Sequence, residues 1–331
     1  MNEIKKRPLG KTKLQITEVA FGGLFLAETL GTARDEAMRV VERALELGIN
    51  YIDTAPMYGN SQEIIGEVLE GRKEDCLLAT KCGRWDWQTG PFRQLDAFKT
   101  QFEQSLKFLR RDSVDILYIH EADWAVYWQD MDQPRSRCEV DPDASYDYAS
   151  APVVRFLQWA KEQKLASHLG ISGNNAHLLK KVLPEIDLEI DAVLVAFQYS
   201  LIWRNAKQYL LPAAGELGAG VVLGAPLQQG RLAVPHEQWL EQPPDWMDDD
   251  LRERFRKLYD IQKEAGLTLP EMAIRFLLAE PDFTTVIPGA ANIEQLEENV
   301  NCSKAGPLDP DLHAKLDSLG KVFPGLWGKD Y

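Results

Sequence analysis

Short apolar runs alternate along the chain with longer amphipathic segments. The short runs are rich in β-branched residues and are typical of parallel strands buried on both faces. Those predicted as strands are Val19–Phe21, Asn50–Ala55, Cys76–Lys81, Ser113–His120, Ala166–Ser172, Asp191–Tyr199, Gly220–Ala225 and Phe283–Pro288. The amphipathic segments predict helices at Ala33–Leu47, Ser61–Leu69, Gln94–Leu109, Ala151–Gln163, Asn175–Leu183, Asn205–Leu217, Pro270–Ala279 and Asn292–Val300.

This series of strand–helix units predicts an α/β fold, a (β/α)8 TIM barrel. An open doubly wound sheet would show the same alternation. Its glycine fingerprint is expected after the first strand, where Phe21–Phe25 reads FGGLF rather than GxGxxG. The barrel is therefore the favoured interpretation.

Two segments, one after the fourth strand and one after the seventh, are longer than ordinary loops. Glu121–Ser150 is acidic and aromatic, and Leu227–Asp250 contains Pro243, Pro244 and three consecutive aspartates. Both follow the carboxyl end of a strand, the face on which barrel enzymes carry their chemistry. We expect loops that cover a substrate, although disordered insertions would have similar composition.

The composition is that of an ordinary globular protein and excludes several classes of function. The net charge of −14 argues against nucleic-acid or anionic-membrane partners. No apolar run is long enough to span a bilayer, and the N-terminus lacks the features of a secretory signal. The four cysteines form no CxxC pair, and neither HxH nor HExxH occurs, so we expect no metal site and a cytoplasmic protein.

Ionisable side chains end three consecutive predicted strands. Asp53 ends the second, Lys81 the third and His120 the fourth, and Tyr58 lies in the loop after Asp53. Each alone has an ordinary explanation as a capping carboxylate, a surface cation or a buried histidine. Because a parallel barrel brings these strand ends to one rim, their joint placement predicts a catalytic site.

With these residues at its strand ends, the sequence resembles the aldo-keto reductase family. The resemblance is carried by Asp53–Gly59, Ala79–Lys81, Tyr118–His120, Gly170–Ser172, Phe197–Tyr199, Ile287–Gly289, Gln295, Glu298 and Asn299. The stretch from Arg7–Gly10 to Gly22 and Gly23 also resembles the family's N-terminal β-hairpin, which closes the barrel floor. The resemblance implies that residues 1–331 form a single barrel domain of this kind, with an insertion at about 121–150.

The family's activity would be hydride transfer between a nicotinamide cofactor and a carbonyl or alcohol group. The catalytic positions implied are Asp53, Tyr58, Lys81 and His120. Tyr58 would protonate the alkoxide, the Lys81 ammonium would lower the pKa of the phenol, and Asp53 would hold Lys81 charged. His120 would orient the carbonyl and stabilise the oxyanion. The enzyme would thus be a reductase or an alcohol dehydrogenase acting on CH–OH donors.

The resemblance implies NADP(H), and NAD(H) remains an alternative. The cofactor-binding positions implied are Gly22, Gly23, Ser172, Gln198, Gly224, Pro226, Leu227, Gly289, Gln295, Glu298 and Asn299. The family usually has Asn directly after the serine, whereas Gly173 precedes Asn174 here, so the role of Asn174 stays open. Gly224 cannot stack on a nicotinamide ring. The segment Gly289–Gln295 has no cation for a 2′-phosphate.

Tryptophans are concentrated in the loops after Lys81 and His120. Trp85 and Trp124 are predicted to line a substrate pocket, with Trp87 and Trp128 as weaker candidates. Such walls suit a sugar or a flat hydrophobic carbonyl compound, so the expected partner is a small carbonyl or sugar molecule. The alternative function is a regulatory subunit that senses redox state through a bound cofactor and turns over slowly. The sequence does not predict the oligomeric state.

Overall fold

The computed structural model describes residues 3–72, 76–85, 89–130 and 139–323. The strands in this part of the chain are β1 (Lys6–Pro8), β2 (Gln15–Thr17), β3 (Phe21–Gly22), β4 (Tyr51–Asp53), β5 (Leu77–Cys82), β6 (Val114–Ile119), β7 (Ala166–Gly173), β8 (Ala192–Ala196), β9 (Gly220–Gly224) and β10 (Phe283–Ile287). The helices are α1 (Arg34–Glu46), α2 (Ser61–Leu69), α3 (Leu95–Leu109), α4 (Pro152–Glu162), α5 (Ala176–Val182), α6 (Leu211–Leu217), α7 (Gln238–Glu241), α8 (Asp249–Ala265), α9 (Leu269–Leu278), α10 (Ile293–Ala305) and α11 (Pro310–Asp317).

The eight strands β3 to β10 lie side by side in chain order, and all neighbouring pairs are parallel. Backbone bridges from Val19 to Val286 and from Gly22 to Gly289 join the first strand to the last. The sheet therefore closes on itself, which confirms the predicted (β/α)8 barrel.

The strands β1 and β2 form an antiparallel hairpin at the amino ends of the barrel strands. Its turn lies against the start of β9, where the N–H of Lys11 donates to the carbonyl of Gly218 at 2.8 Å. Gly10 in this turn has φ of +50°, and a Cβ there would collide with the backbone of Gly218 and Gly220. The hairpin covers the barrel floor, as the resemblance implied.

The clearest difference from the predicted elements is α8, which the sequence pattern left without a helix. Asp248 caps its first turn by accepting from the N–H of Leu251 at 2.7 Å, and Gly266 ends it with φ of +65°. Only a narrow stripe is buried, formed by Leu251, Phe255, Leu258 and Tyr259. Because the other faces of the helix are charged, the few apolar positions do not form a clear amphipathic pattern in the sequence. The short helices α7 and α11 were also not predicted. Among the described residues, no helix has the length and hydropathy that a membrane span requires.

The barrel interior explains how the candidate site is assembled. Tyr51, Ala79 and Tyr118 belong to the apolar cluster that fills the barrel. Successive side chains on a strand point to opposite faces, so the residues two positions further along also face inward. These are Asp53, Lys81 and His120. The alternation of the strands therefore carries the three ionisable groups into the carboxyl-end mouth of the barrel.

Candidate active site

Asp53 and Lys81 form a buried ion pair on neighbouring strands. Lys81 Nζ donates to Asp53 Oδ1 and, at 3.0 Å, to the carbonyl of Thr54. The side chains are only 1% and 2% exposed, so each charge depends on the other for compensation. Burial alone would lower the pKa of Lys81, but Asp53 and Tyr58 outweigh it and raise that pKa. Lys81 is therefore an ammonium at neutral pH.

Tyr58 lies in the turn that follows β4, and its backbone N–H donates to the carbonyl of Ala55 at 3.1 Å. The ring centroid lies 4.8 Å from Lys81 Nζ. Burial raises the pKa of the Tyr58 phenol, and the charge and hydrogen bond of Lys81 act in the opposite direction. The expected lowering effect of Lys81 is present, but the net pKa lies above its ordinary value. The phenol is therefore protonated at neutral pH, as a proton donor must be.

His120 lies directly after β6 and meets the Tyr58 ring edge-on, with centroids 5.9 Å apart. Its backbone is held by the carbonyl of Cys82 at 3.0 Å and by the hydroxyl of Tyr127 at 2.6 Å. Burial and the positive charges of Lys81 and Arg84 hold the pKa of His120 well below its usual range. A neutral imidazole has one N–H to donate, so His120 can hydrogen-bond to a carbonyl oxygen without carrying a charge.

Two buried polar side chains lie at the ends of the next strands. The Ser172 hydroxyl donates to the carbonyl of Ile119 at 3.1 Å and accepts from the N–H of Glu121 at 3.3 Å. Gln198 Oε1 accepts from the N–H of Ala176 at 3.3 Å. Gln198 Nε2 is buried without a hydrogen-bond partner among the described residues. Such an amide points to a ligand that accepts a hydrogen bond.

The predicted glycine positions surround the same mouth. Gly22 pairs with Gly289 through the backbone, and Gly23 follows directly. A Cβ on Gly224 would come no closer than 3.3 Å to its neighbours, which are the side chains of Leu194 and Ala196. At that distance a side chain at position 224 would be in tight contact with these two residues. The predicted positions Pro226 and Leu227 lie in the turn that follows β9.

The start of α10 carries the last group of predicted cofactor positions. The Asn292 side chain accepts from the N–H of Gln295, and Gln295 Oε1 accepts from the N–H of Ala291, both at 2.9 Å. Asn299 Nδ2 donates to the carbonyl of Gly289 at 3.4 Å. Glu298 instead accepts from the hydroxyl of Thr268 at 2.9 Å. Asn292 was not among the predicted site residues, although its N-cap position before a helix was a visible signal.

The start of this helix has no cation of its own, and Arg43, which reaches the helix from α1, is already paired. Gly289–Gln295 contains neither Lys nor Arg. Arg43 of α1 reaches α10 but pairs with Glu297 and Glu46, each at 2.8 Å. The free backbone N–H groups at the helix start still favour an anion.

The tryptophans predicted to line the pocket are largely covered. Trp124 is 4% exposed, and the Arg84 guanidinium lies 4.5 Å from its ring centroid. Trp85 packs edge-on against Phe92 and Phe98, with centroids 5.4 and 4.8 Å apart. Trp128 is buried, and Trp87 lies outside the described residues.

Two acidic residues of the loop after His120 were not predicted as part of the site. Glu121 pairs with Arg84, and its Oε1 accepts from Asn174 Nδ2 at 2.7 Å. Asp123 Oδ2 accepts from the N–H of Asn174 at 2.8 Å and of Asn175 at 2.9 Å. The backbone N–H and the side-chain amide of Asn174 are therefore both hydrogen-bonded to these two acidic residues.

Asp123 also explains the unusual Gly173. A Cβ at Gly173 would lie 2.7 Å from Asp123 Oδ1, so the carboxyl fills the space that a side chain would take. Burial and the nearby charge of Glu121 raise the pKa of Asp123 to about 8. The only sequence signal for this role was an acid three residues after His120.

Comparison with known proteins shows the family of the chain. The family model described as "Aldo/keto reductase family" matches residues 18–321. The uncharacterized oxidoreductase YqkF of Bacillus subtilis is 29% identical over 96% of this chain and 97% of its own length. L-galactose dehydrogenase of Arabidopsis thaliana is 27% identical over 91% of this chain and 88% of its own.

A solved structure agrees over almost the whole chain. The holo form of the aldo-keto reductase AKR11C1 from Bacillus halodurans superimposes with a TM-score of 0.72 at 26% identity. The match covers 97% of this chain and 98% of that one. The chain belongs to the aldo/keto reductase family of oxidoreductases.

Proposed function

We propose that the protein reduces small aldehydes, ketones or sugars, or oxidises the corresponding alcohols, with Tyr58 as the proton donor or acceptor. The observation that carries this proposal is the Lys81 ammonium, which contacts both Asp53 and Tyr58. His120 faces the same phenol as a neutral ring. Three groups therefore meet at one point. Tyr58 is a proton donor, Lys81 is a cation that stabilises its phenolate, and His120 is a neutral hydrogen-bond donor.

The roles of the residues follow from their charges. Tyr58, protonated at neutral pH, gives its proton to the alkoxide oxygen that forms when a carbonyl is reduced. The phenolate left behind is stabilised by Lys81, whose own charge is balanced by Asp53. His120 donates to the carbonyl oxygen and strengthens this bond as negative charge develops there. In the oxidative direction Tyr58 accepts the proton.

The mouth of the barrel has groups that fit a nicotinamide cofactor, which when bound would supply or accept the hydride. Gln198 Nε2 would donate to the carboxamide oxygen. The Ser172 hydroxyl already donates its hydrogen to Ile119, so it would accept from the carboxamide NH2. Gly224, which has no side chain, would lie beside the ring. The remaining positions proposed to contact the cofactor are Gly22, Gly23, Pro226, Leu227, Gly289, Gln295, Glu298 and Asn299.

NADP(H) is the cofactor that the family favours, but the start of α10 gives it little electrostatic help. The neighbouring Arg43 is held by two glutamates, and the helix start that Asn292 caps would offer a phosphate its backbone N–H groups. We propose that the protein accepts both NADPH and NADH with modest discrimination.

A substrate panel tests the proposed function. Aliphatic aldehydes, aromatic aldehydes and aldoses would be offered with NADPH and NADH in parallel, and cofactor absorbance followed. Turnover well above the protein-free rate with at least one substrate is expected. Tight cofactor binding without turnover on any of them would instead support a regulatory subunit.

A further inference from the structure

Arg84 is a positioned cation beside the catalytic histidine that the proposed mechanism does not use. Its backbone N–H donates to the hydroxyl of Tyr127 at 2.9 Å, and that hydroxyl donates to the carbonyl of His120 at 2.6 Å. Its guanidinium lies over the Trp124 ring. Arg84 has φ of +61°, a conformation that a non-glycine residue adopts only when its surroundings enforce it. The backbone and the side chain are thus both fixed.

The guanidinium is also held from the side by Glu121. The ion pair joins Arg84 Nε to a carboxylate oxygen of Glu121, whose other oxygen accepts from Asn174. The Glu121 side chain is 10% exposed, whereas the Arg84 side chain is 23% exposed. A guanidinium has five N–H donors in a planar fork, and the Glu121 pair engages its Nε side. The Arg84 side chain is still partly exposed, and its charge lies near enough to His120 to lower the pKa of that imidazole.

The charge balance indicates which kind of group this fork would bind. Lys81 is balanced by Asp53, and Arg84 is balanced by Glu121. No excess positive charge remains among these four groups to attract a carboxylate or phosphate, and the whole chain carries −14. Neutral oxygen atoms that accept hydrogen bonds match such a site better than anions do.

We propose that Arg84, held in place by Glu121 and Trp124, binds hydroxyl groups next to the reacting carbonyl and selects neutral polyhydroxylated substrates such as small sugars. This inference rests on the proposed function and names its substrate class. Arg84 is a specificity-determining residue, and Glu121 is a positioning residue.

The test compares glyceraldehyde with propanal, which has the same carbon chain without the two hydroxyls. The wild type is expected to prefer glyceraldehyde in kcat/KM. In Arg84→Met this preference should fall by roughly tenfold or more, chiefly through the KM for glyceraldehyde, because hydrogen bonds from a charged donor are lost. Glu121→Gln should reduce the preference in the same direction but less. Arg252→Met, which removes a partly exposed guanidinium paired with Asp249, is the matched control and should leave the preference unchanged.

Three results would overturn the inference. Equal losses on both aldehydes in Arg84→Met and Glu121→Gln would assign the pair a structural role only. An unchanged preference would remove Arg84 from substrate recognition. A wild-type preference for succinate semialdehyde over glyceraldehyde that Arg84→Met abolishes would make the substrate class anionic.

A binding measurement separates this inference from the proposed function. Xylitol, which has hydroxyls but no carbonyl, should raise the Tm of the wild type in the presence of cofactor and have a much smaller effect on Arg84→Met. If no aldehyde is turned over but this difference is seen, the hydroxyl site stands and the proposed function fails. If turnover is seen without the xylitol difference and without a glyceraldehyde preference, the function stands and the hydroxyl site fails.

Discussion

The buried Lys81–Asp53 pair leads to a stability prediction that does not depend on any substrate. In Lys81→Met, Asp53 Oδ1 loses its partner, and Asp53 Oδ2 already has none among the described residues. Both side chains are almost fully inaccessible, so water cannot replace the lost ammonium. Removing one member of a buried ion pair typically costs about 3–5 kcal/mol. We expect a loss of that size in the free energy of unfolding at pH 7.

A double-mutant cycle measures this coupling. Urea unfolding would be followed for the wild type, Lys81→Met, Asp53→Asn and the double variant. The double variant leaves no buried charge at the pair, so it should be less destabilised than the sum of the two single variants by about 2 kcal/mol or more. The matched control is the exposed pair Lys315–Glu264, whose side chains are 55% and 66% exposed. Its coupling should be much smaller than that of the buried pair, because water and salt screen exposed charges.

The cycle also has a clear negative outcome. Single variants that each cost less than about 1 kcal/mol and add within about 0.5 kcal/mol would show that the pair is solvated rather than buried. The proposed electrostatic support for Tyr58 would then lose its physical basis.

Two further predictions concern the cofactor and Asp123. Fluorescence titration should give a Kd for NADPH that is lower than the Kd for NADH by less than roughly a hundredfold, about 2.7 kcal/mol. A larger difference would show that a cation outside the segment Gly289–Gln295 binds the phosphate. The pKa of Asp123 is raised from 3.8 to about 8, so the folded wild type binds an extra proton in this range and loses stability as pH rises through it. The Tm of Asp123→Asn relative to wild type should therefore increase between about pH 4 and 8 and then level off; a difference that does not vary with pH would contradict this ionisation.

The barrel and the positions of its ionisable residues could be predicted because they depend on local periodicity. Short strands that alternate with amphipathic helices specify the parallel barrel, and a strand that alternates inward and outward places Asp53, Lys81 and His120 on one rim. The hairpin needed the family resemblance, because three-residue strands such as Lys6–Pro8 have no distinctive pattern. Helix α8 was not predicted, because its apolar stripe is narrow and its other faces are charged.

The parts of the site that could not be predicted arise from contacts between distant segments. Glu121 reaches Arg84 and Asn174, which follow two other strands, and nothing in the linear sequence pairs them. Gly173 departs from the family pattern, and its reason is the Asp123 carboxyl, which fills the space beside it. The net pKa of Tyr58 likewise depends on burial, which the sequence does not report.

The most direct test of the central claim is the kinetics of Tyr58→Phe. This change removes only the hydroxyl oxygen, so we expect turnover to fall by about two to four orders of magnitude, as is typical when a positioned proton donor is lost. Cofactor Kd should stay within about threefold, since no cofactor contact is assigned to the phenol. Tyr209→Phe, which removes a phenol hydroxyl from a ring packed on His177, is the matched control and should keep wild-type activity. A Tyr58→Phe enzyme with wild-type kcat on a good substrate would show that the proton comes from another group.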